Sequence, residues 1–372
     1  GHHASKLHGL FVMNGILMAV MAAGALLGGA DRILGGRLGL GEQFEKGFML
    51  LGPMALSMAG MISLAPELAD WLGWVIVPLY RLMGVDPAMF GSLLAIDMGG
   101  YQLSKELAAD PVVGSYAGLV ASSIFGVTLV FTIPVGMGMT APEDRPPLAR
   151  GIMLGLAAMP VGLVAGGLLC GLTLPACLRQ NLPVFALALG LFLGLRLAPD
   201  RMVRGFCLLS EGIKALVTLG LALGAAEALT GWAILPGMAP LGEAMEVVAS
   251  IGVVMLGSLP VAELLRRGLE RPFALLGRRL AVSPQSLTGM LVGLVSPLPT
   301  LVMLGDMDSR GKVAAGAFLV SGASLMAAHM GFVLSTEPEL LGAVAAGKLS
   351  GAVSAAALAL FLTGRPGAER TH

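Results

Sequence analysis

Ala95-Ile96-Asp97-Met98-Gly99-Gly100-Tyr101-Gln102-Leu103-Ser104-Lys105-Glu106-Leu107 ends an apolar run on an acid, breaks at a glycine pair and then turns polar. Long apolar stretches flank it on both sides. An ionisable group at membrane depth is expensive, so it normally faces a cavity and has a partner. Asp97 therefore reads in two ways. It is the counter-charge for a cationic substrate, or it caps the helix that starts after the glycines or pairs with Lys105. Even a cap here would mark a helix end inside the membrane region. Tyr101 and Gln102 can each donate and accept a hydrogen bond, and the Tyr101 ring offers a face for an ammonium group or an anchor at the interface. Lys105 and Glu106, at the wetter end, read as an interfacial ion pair or gate element.

The whole chain supports a membrane reading. Of its 372 residues, 56% are hydrophobic and 12% charged, against roughly 45–50% and about 25% in a soluble domain. That leaves too little polar surface to coat a water-soluble globule. The 54 glycines suit close helix approach in lipid. The 23 basic and 23 acidic residues cancel, which leaves no electrostatic footprint for nucleic acid. Cys170, Cys177 and Cys207 form no C-x-x-C pair, so neither a disulfide framework nor a metal site is expected. Nucleotide-binding, zinc-protease and serine-hydrolase motifs are missing, so no enzyme and no cofactor is expected.

Helices are expected at 13–34, 46–66, 112–139, 148–171, 182–199, 203–228, 244–266, 312–334 and 342–363, with shorter amphipathic stretches at 67–83 and 268–281. Residues 1–12, with three histidines, read as a non-native or disordered extension and 364–372 as a polar tail. Segments 84–110 and 284–311 each open near a proline, run apolar and then turn polar between membrane helices. They sit at matching places in an internal echo: Val85-Asp86-Pro87 against Val282-Ser283-Pro284, and Leu119-Val120-Ala121-Ser122 against Leu319-Val320-Ser321-Gly322, about 200 positions apart. Helix 182–199 has no counterpart and would join repeat one (13–171) to repeat two (203–363), inverting the second. The basic residues Arg266, Arg267, Arg271, Arg278 and Arg279 place their loop on the cytoplasmic side. The expected fold is thus an all-α polytopic membrane helix bundle of two inverted repeats with paired re-entrant, broken-helix segments, an architecture of secondary transporters.

In the second broken segment, Ser296-Pro297-Leu298-Pro299-Thr300 removes two backbone donors and frees carbonyls for a cation or hydroxyl. Asp306 and Asp308 read as a solvated loop. Ser122, Ser123, Ser321 and Ser324 either bond helices together or line a cavity. His329 is a packing histidine or a proton relay.

Ala30-Asp31-Arg32-Ile33-Leu34, Gln43-Phe44-Glu45-x-Gly47-Phe48-Met49, the Asp97-Met98-Gly99-Gly100 to Lys105-Glu106-Leu107-Ala108 motif and Val130-Phe131-Thr132-Ile133-Pro134-Val135 together resemble the EutH family of bacterial ethanolamine-utilisation operons. The resemblance runs from Met13 to about Leu362. It implies a permease of the cytoplasmic membrane that carries ethanolamine, with a non-transporting sensor or scaffold as the alternative. It also implies Asp97 at the ammonium, with Tyr101, Gln102 and Ser123 near the hydroxyl and Ser296 and Thr300 completing the site. The lipid bilayer is the expected partner, and a homo-oligomer is left open.

Overall fold

The computed structural model describes residues 2–137 and 140–364. Among them it is helical with no strand, and eight helices are long and apolar enough to cross a membrane. The chain runs α1 (His2–Ile33), α2 (Leu40–Met49) and α3 (Leu51–Leu82), then a broken segment ending in α4 (Gly100–Leu107). Next come α5 (Pro111–Gly136), α6 (Arg145–Leu169), α7 (Leu174–Gln180), α8 (Leu182–Leu197), α9 (Pro199–Thr230) and α10 (Leu241–Leu280). A second broken segment contains α11 (Pro284–Gly293) and α12 (Pro297–Val302), and α13 (Ser309–Thr336) and α14 (Leu341–Leu362) complete the bundle. The extension expected at 1–12 continues α1 from His2, and the tail from Arg365 onward lies outside the described residues. The stretches at 67–83 and 268–281 continue α3 and α10 without a break, through Pro66, Pro78, Pro260 and Pro272. At about 1.5 Å per residue both helices exceed the thickness of a hydrocarbon core.

Both broken segments double back, and one carboxylate closes each. Asp86 caps Ala88 N–H at the start of the first (2.9 Å) and accepts from the Asp110 N–H at its end (2.8 Å). In the second the roles are reversed. Asp308, at the end, accepts from the Ser283 N–H at the start (2.9 Å) and from the Ser286 hydroxyl (2.7 Å). Asp308 is thus a structural tie within the second segment, not part of a free loop.

α5 and α13 run antiparallel. Ser115, at the start of α5, bonds Glu337 just past the end of α13 (2.8 Å). Lys312, at the start of α13, pairs with Asp144 beyond the end of α5. Between these ends the Thr128 hydroxyl donates to the Val320 carbonyl (3.1 Å). Each hairpin leads directly into one of these two helices, so the hairpins enter from opposite ends of the bundle. Their tips reach the middle of the other half's helix, 96–98 against 325–329 and 297–302 against 128–136.

Neither long helix is regular. α5 widens into π-type turns, and α13 breaks at Ser324, whose φ is 62°. Freed backbone groups find each other: Ser324 N–H donates to the Gly293 carbonyl (3.0 Å) and Met326 N–H to the Leu294 carbonyl (2.7 Å). On the first hairpin the Ser122 hydroxyl donates to the Leu94 carbonyl (2.6 Å). Lipid could satisfy none of these groups.

Small residues set the remaining contacts. α1 lies on α10 where Gly24 meets Gly257, and α9 lies on α3 where Gly220 meets Gly60. The first helix of each half therefore packs on the long helix of the other, through glycines whose added Cβ would run into backbone. Gly60→Val and Gly257→Val should each destabilise the protein by about 1–3 kcal/mol in thermal unfolding in detergent. Gly52→Ala, which faces open space, should leave stability unchanged or slightly raised.

Candidate functional site

Asp97 sits on the tight turn Ile96–Met98 at the tip of the first hairpin. The next residue, Gly99, has φ of 95°, and a Cβ there would strike Met61, so both conformation and space call for glycine. Gly99 itself occupies the cap position of α4, with no side-chain cap bond. Asp97 is not the cap, and Lys105 bonds elsewhere. Lys348 of α14 acts on Asp97 through its field, from beyond ion-pair distance. Lys348 is fully buried, and its ammonium donates to the Ser123 carbonyl of α5 (2.6 Å). His329, on the π-type turn of α13, is buried with Nδ1 unpartnered among the described residues, and it too feels Lys348. The turns that carry Asp97 and His329 pack against each other, and Lys348 is held at Ser123 of α5. Asp97 alone of the three keeps appreciable exposed surface.

A second polar cluster closes the end of the bundle where the first hairpin enters. Glu337, in the link between α13 and α14, accepts from the Tyr101 hydroxyl (2.9 Å), the Lys105 ammonium (2.9 Å) and the Ser115 hydroxyl (2.8 Å). The Lys105 ammonium lies 5.8 Å from the centre of the Tyr101 ring, whose edge meets Phe332. Burial alone would raise the Glu337 carboxyl. The hydrogen bonds from Lys105, Ser115 and Tyr101 outweigh it and hold the group below its ordinary range. Lys105 is therefore an ion-pair residue, but its partner is Glu337, and Glu106 is exposed.

The other expected residues separate. Ser296 lines a cavity of about 530 Å³ with Ser324, Pro299 and Ala327, and Gln43, Lys46, Glu263 and Arg266 also border it. Thr300 donates to the Gly289 carbonyl (2.7 Å) and braces the two arms of the second hairpin. The Ser123 hydroxyl turns back to Val120, so its carbonyl is the group it presents to the centre. Gln102 brings a buried side-chain oxygen that has no partner among the described residues. Ser123 therefore meets Lys348, Asp97 stands at the hairpin tip, Tyr101 and Lys105 belong to the closed end, and Ser296 lies by the cavity. No group of three or more metal-ligating side chains occurs among the described residues. Sequence reasoning missed Lys348 and Glu337. Lys348 is the only charged residue in the apolar run 340–362, the same signal that singled out Asp97. Glu337 is marked only by its place beside Pro338 at a helix junction.

The family model described as ethanolamine utilisation protein, EutH, matches residues 13–362. The "Probable ethanolamine permease EutH" of Listeria monocytogenes is 39% identical, over 95% of both chains. The Escherichia coli protein of the same name is 38% identical over 96% of this chain and 98% of its own. The Salmonella typhimurium one is 38% identical over 94% and 95%. No solved structure matches the chain.

Replacing Glu337 by Gln tests the closed end. A depressed carboxyl stabilises the fold above its unfolded-state pKa, and this stabilisation fades as pH falls through the folded-state value. The melting temperature of the wild type should exceed that of Glu337→Gln at pH 7, and the gap should close on acidification below the ordinary carboxylate range. A gap that does not change with pH would assign Glu337 a purely steric role.

Proposed function

The chain belongs to the EutH family, and from that premise we propose that this multi-pass membrane protein is a secondary transporter or facilitator carrying ethanolamine across the cytoplasmic membrane. The observation that carries the reading is the pair of hairpins entering from opposite ends, with a partly exposed carboxylate at the tip of the first. Discontinuous helices meeting near the midplane of two inverted repeats are how many secondary transporters build a small polar site in lipid. The antiparallel α5 and α13, and the exchanged contacts of α1 with α10 and α9 with α3, support inverted repeats spanning 13–171 and 203–363. α8 is the odd crossing between them. Arg145, Arg150, Arg278, Arg279, Arg310 and Lys312 gather toward the end where the second hairpin enters, which makes that end cytoplasmic. Arg310 ties that end together through the carbonyls of Leu280 and Leu360 (both 2.9 Å).

Ethanolamine carries an ammonium and a hydroxyl on two carbons. Asp97 takes the ammonium and the free oxygen of Gln102 serves the hydroxyl, while Ser123, its hydroxyl and carbonyl already bonded, holds Lys348 beside the site. Ser296 lies on the cytoplasmic approach, Thr300 holds that approach in shape, and Tyr101 and Lys105 close the opposite end with Glu337. A ligand this small gains at most about 1.5 kcal/mol per heavy atom, which sets micromolar to millimolar binding. Proteoliposomes with the protein should take up labelled ethanolamine above empty vesicles, and Asp97→Asn should lower uptake at least about tenfold, as expected when the partner of a buried charge is removed. Uptake equal to empty vesicles would favour the sensor or scaffold reading.

A further inference from the structure

A cavity of about 690 Å³ opens between the start of α6 and the corner where α8 turns into α9. Four arginines line it: Arg145 and Arg150 from the first two turns of α6, Arg196 from the last turn of α8 and Arg204 from the second turn of α9. Among the described residues, Asp200 is the one carboxylate on the wall, and no ion pair joins any of the four to an acid. Three of the guanidiniums give one N–H each to a backbone carbonyl, Arg145 to Thr140 (3.1 Å), Arg204 to Asp200 (3.4 Å) and Arg150 to Leu362 (3.5 Å). A guanidinium carries several N–H donors, so most of those on this wall stay open. The excess of basic residues on the cytoplasmic side accounts for arginines at this end, but not for four of them around one cavity.

We propose that this cavity holds the headgroup of an anionic phospholipid, with its phosphate on the arginines and its glycerol and first methylenes against the apolar wall. The proposal rests on the membrane orientation given above and not on what the protein carries. All four arginines stand within two turns of a helix end, which places them at headgroup depth. Met153, one turn deeper on α6 than Arg150, joins Leu195 and Val203 in an apolar wall beside them. Cations at the surface with apolar side chains beside and below match a phospholipid, whereas a soluble phosphate has no use for that wall. The planar arginine fork meets two phosphate oxygens at once, and basic pockets between membrane helices on the cytoplasmic side suit anionic headgroups. The position also gives a bound lipid work to do. α8, the odd crossing between the halves, turns into α9 at Ala198, where the backbone leaves the helical region (φ −148°, ψ 62°). A lipid seated there ties that corner to α6, and a ligand that binds only the folded state stabilises it.

Thermal unfolding of the purified full-length protein in mild detergent, with lipid added, tests this. Phosphatidylglycerol should raise the melting temperature in a saturable way, and phosphatidylcholine, which has a phosphate but no net charge, should not. Arg196→Gln removes a guanidinium that has no hydrogen bond to lose among the described residues. It should raise the phosphatidylglycerol concentration needed by about fivefold, and adding Arg204→Gln by about fivefold again, as expected for one arginine at an anionic surface. Arg271→Gln, exposed on α10 and away from the cavity, should leave the response unchanged. Glycerol phosphate, the headgroup without its chains, should not replace the lipid. Equal shifts with both lipids, or an unaltered response in Arg196→Gln, overturn the proposal. So does full stabilisation by glycerol phosphate alone, which would make the cavity a site for soluble phosphate. If the variants do not fold, the two lipids and glycerol phosphate compared on the wild type still decide.

Discussion

Every interruption of a helix in lipid frees backbone donors and acceptors that the surroundings cannot satisfy, and this protein is organised around where those groups find partners. Two prolines and a serine open the second hairpin at 296–299, and a residue with positive φ opens α13 at Ser324; the two breaks then bond to each other. On the other side the Leu94 carbonyl is taken up by Ser122. Each hairpin is drawn shut at its base by one aspartate. Irregular backbone survives only because it is held by irregular backbone from a neighbouring element.

Charge is distributed by the same logic. At the two ends of the bundle, polar contacts join the start of one crossing helix to the end of the other, Ser115 by a hydrogen bond to Glu337, which also pairs with Lys105 of α4, and Lys312 by an ion pair to Asp144. Lys105 is open to water, so its pair with Glu337 is a clasp of modest strength, whereas the Lys312–Asp144 pair is largely buried. In the middle, Lys348 and His329 are buried and only Asp97 keeps exposed surface. A charge there persists only by mutual compensation and by carbonyls such as that of Ser123. The cavity by the second hairpin and the closed cluster by the first give the two ends different character.

Asp97 stood out in the chain because an acid beside two glycines inside an apolar region has few physical explanations. The cap reading of Asp97 was equally legible, and only the conformation of Gly99 removes it. Tyr101 and Lys105 were recognised as polar residues near the break, but their common partner lies more than two hundred positions away. Thr300 and Ser123 show the opposite limit. Their hydroxyls satisfy local carbonyls, which a list of polar residue types does not reveal.

Composition and hydropathy determined by themselves that the chain is a helical membrane bundle, because apolar surface and scarce charge allow no other solvent, and the broken segments were evident from proline and glycine punctuation. Tertiary structure alone decided which end each hairpin enters from, which carbonyl takes the buried Lys348, and that the halves exchange their first helices. Those facts depend on contacts between residues far apart in the chain, and local pattern carries no record of the partner that will satisfy a buried group.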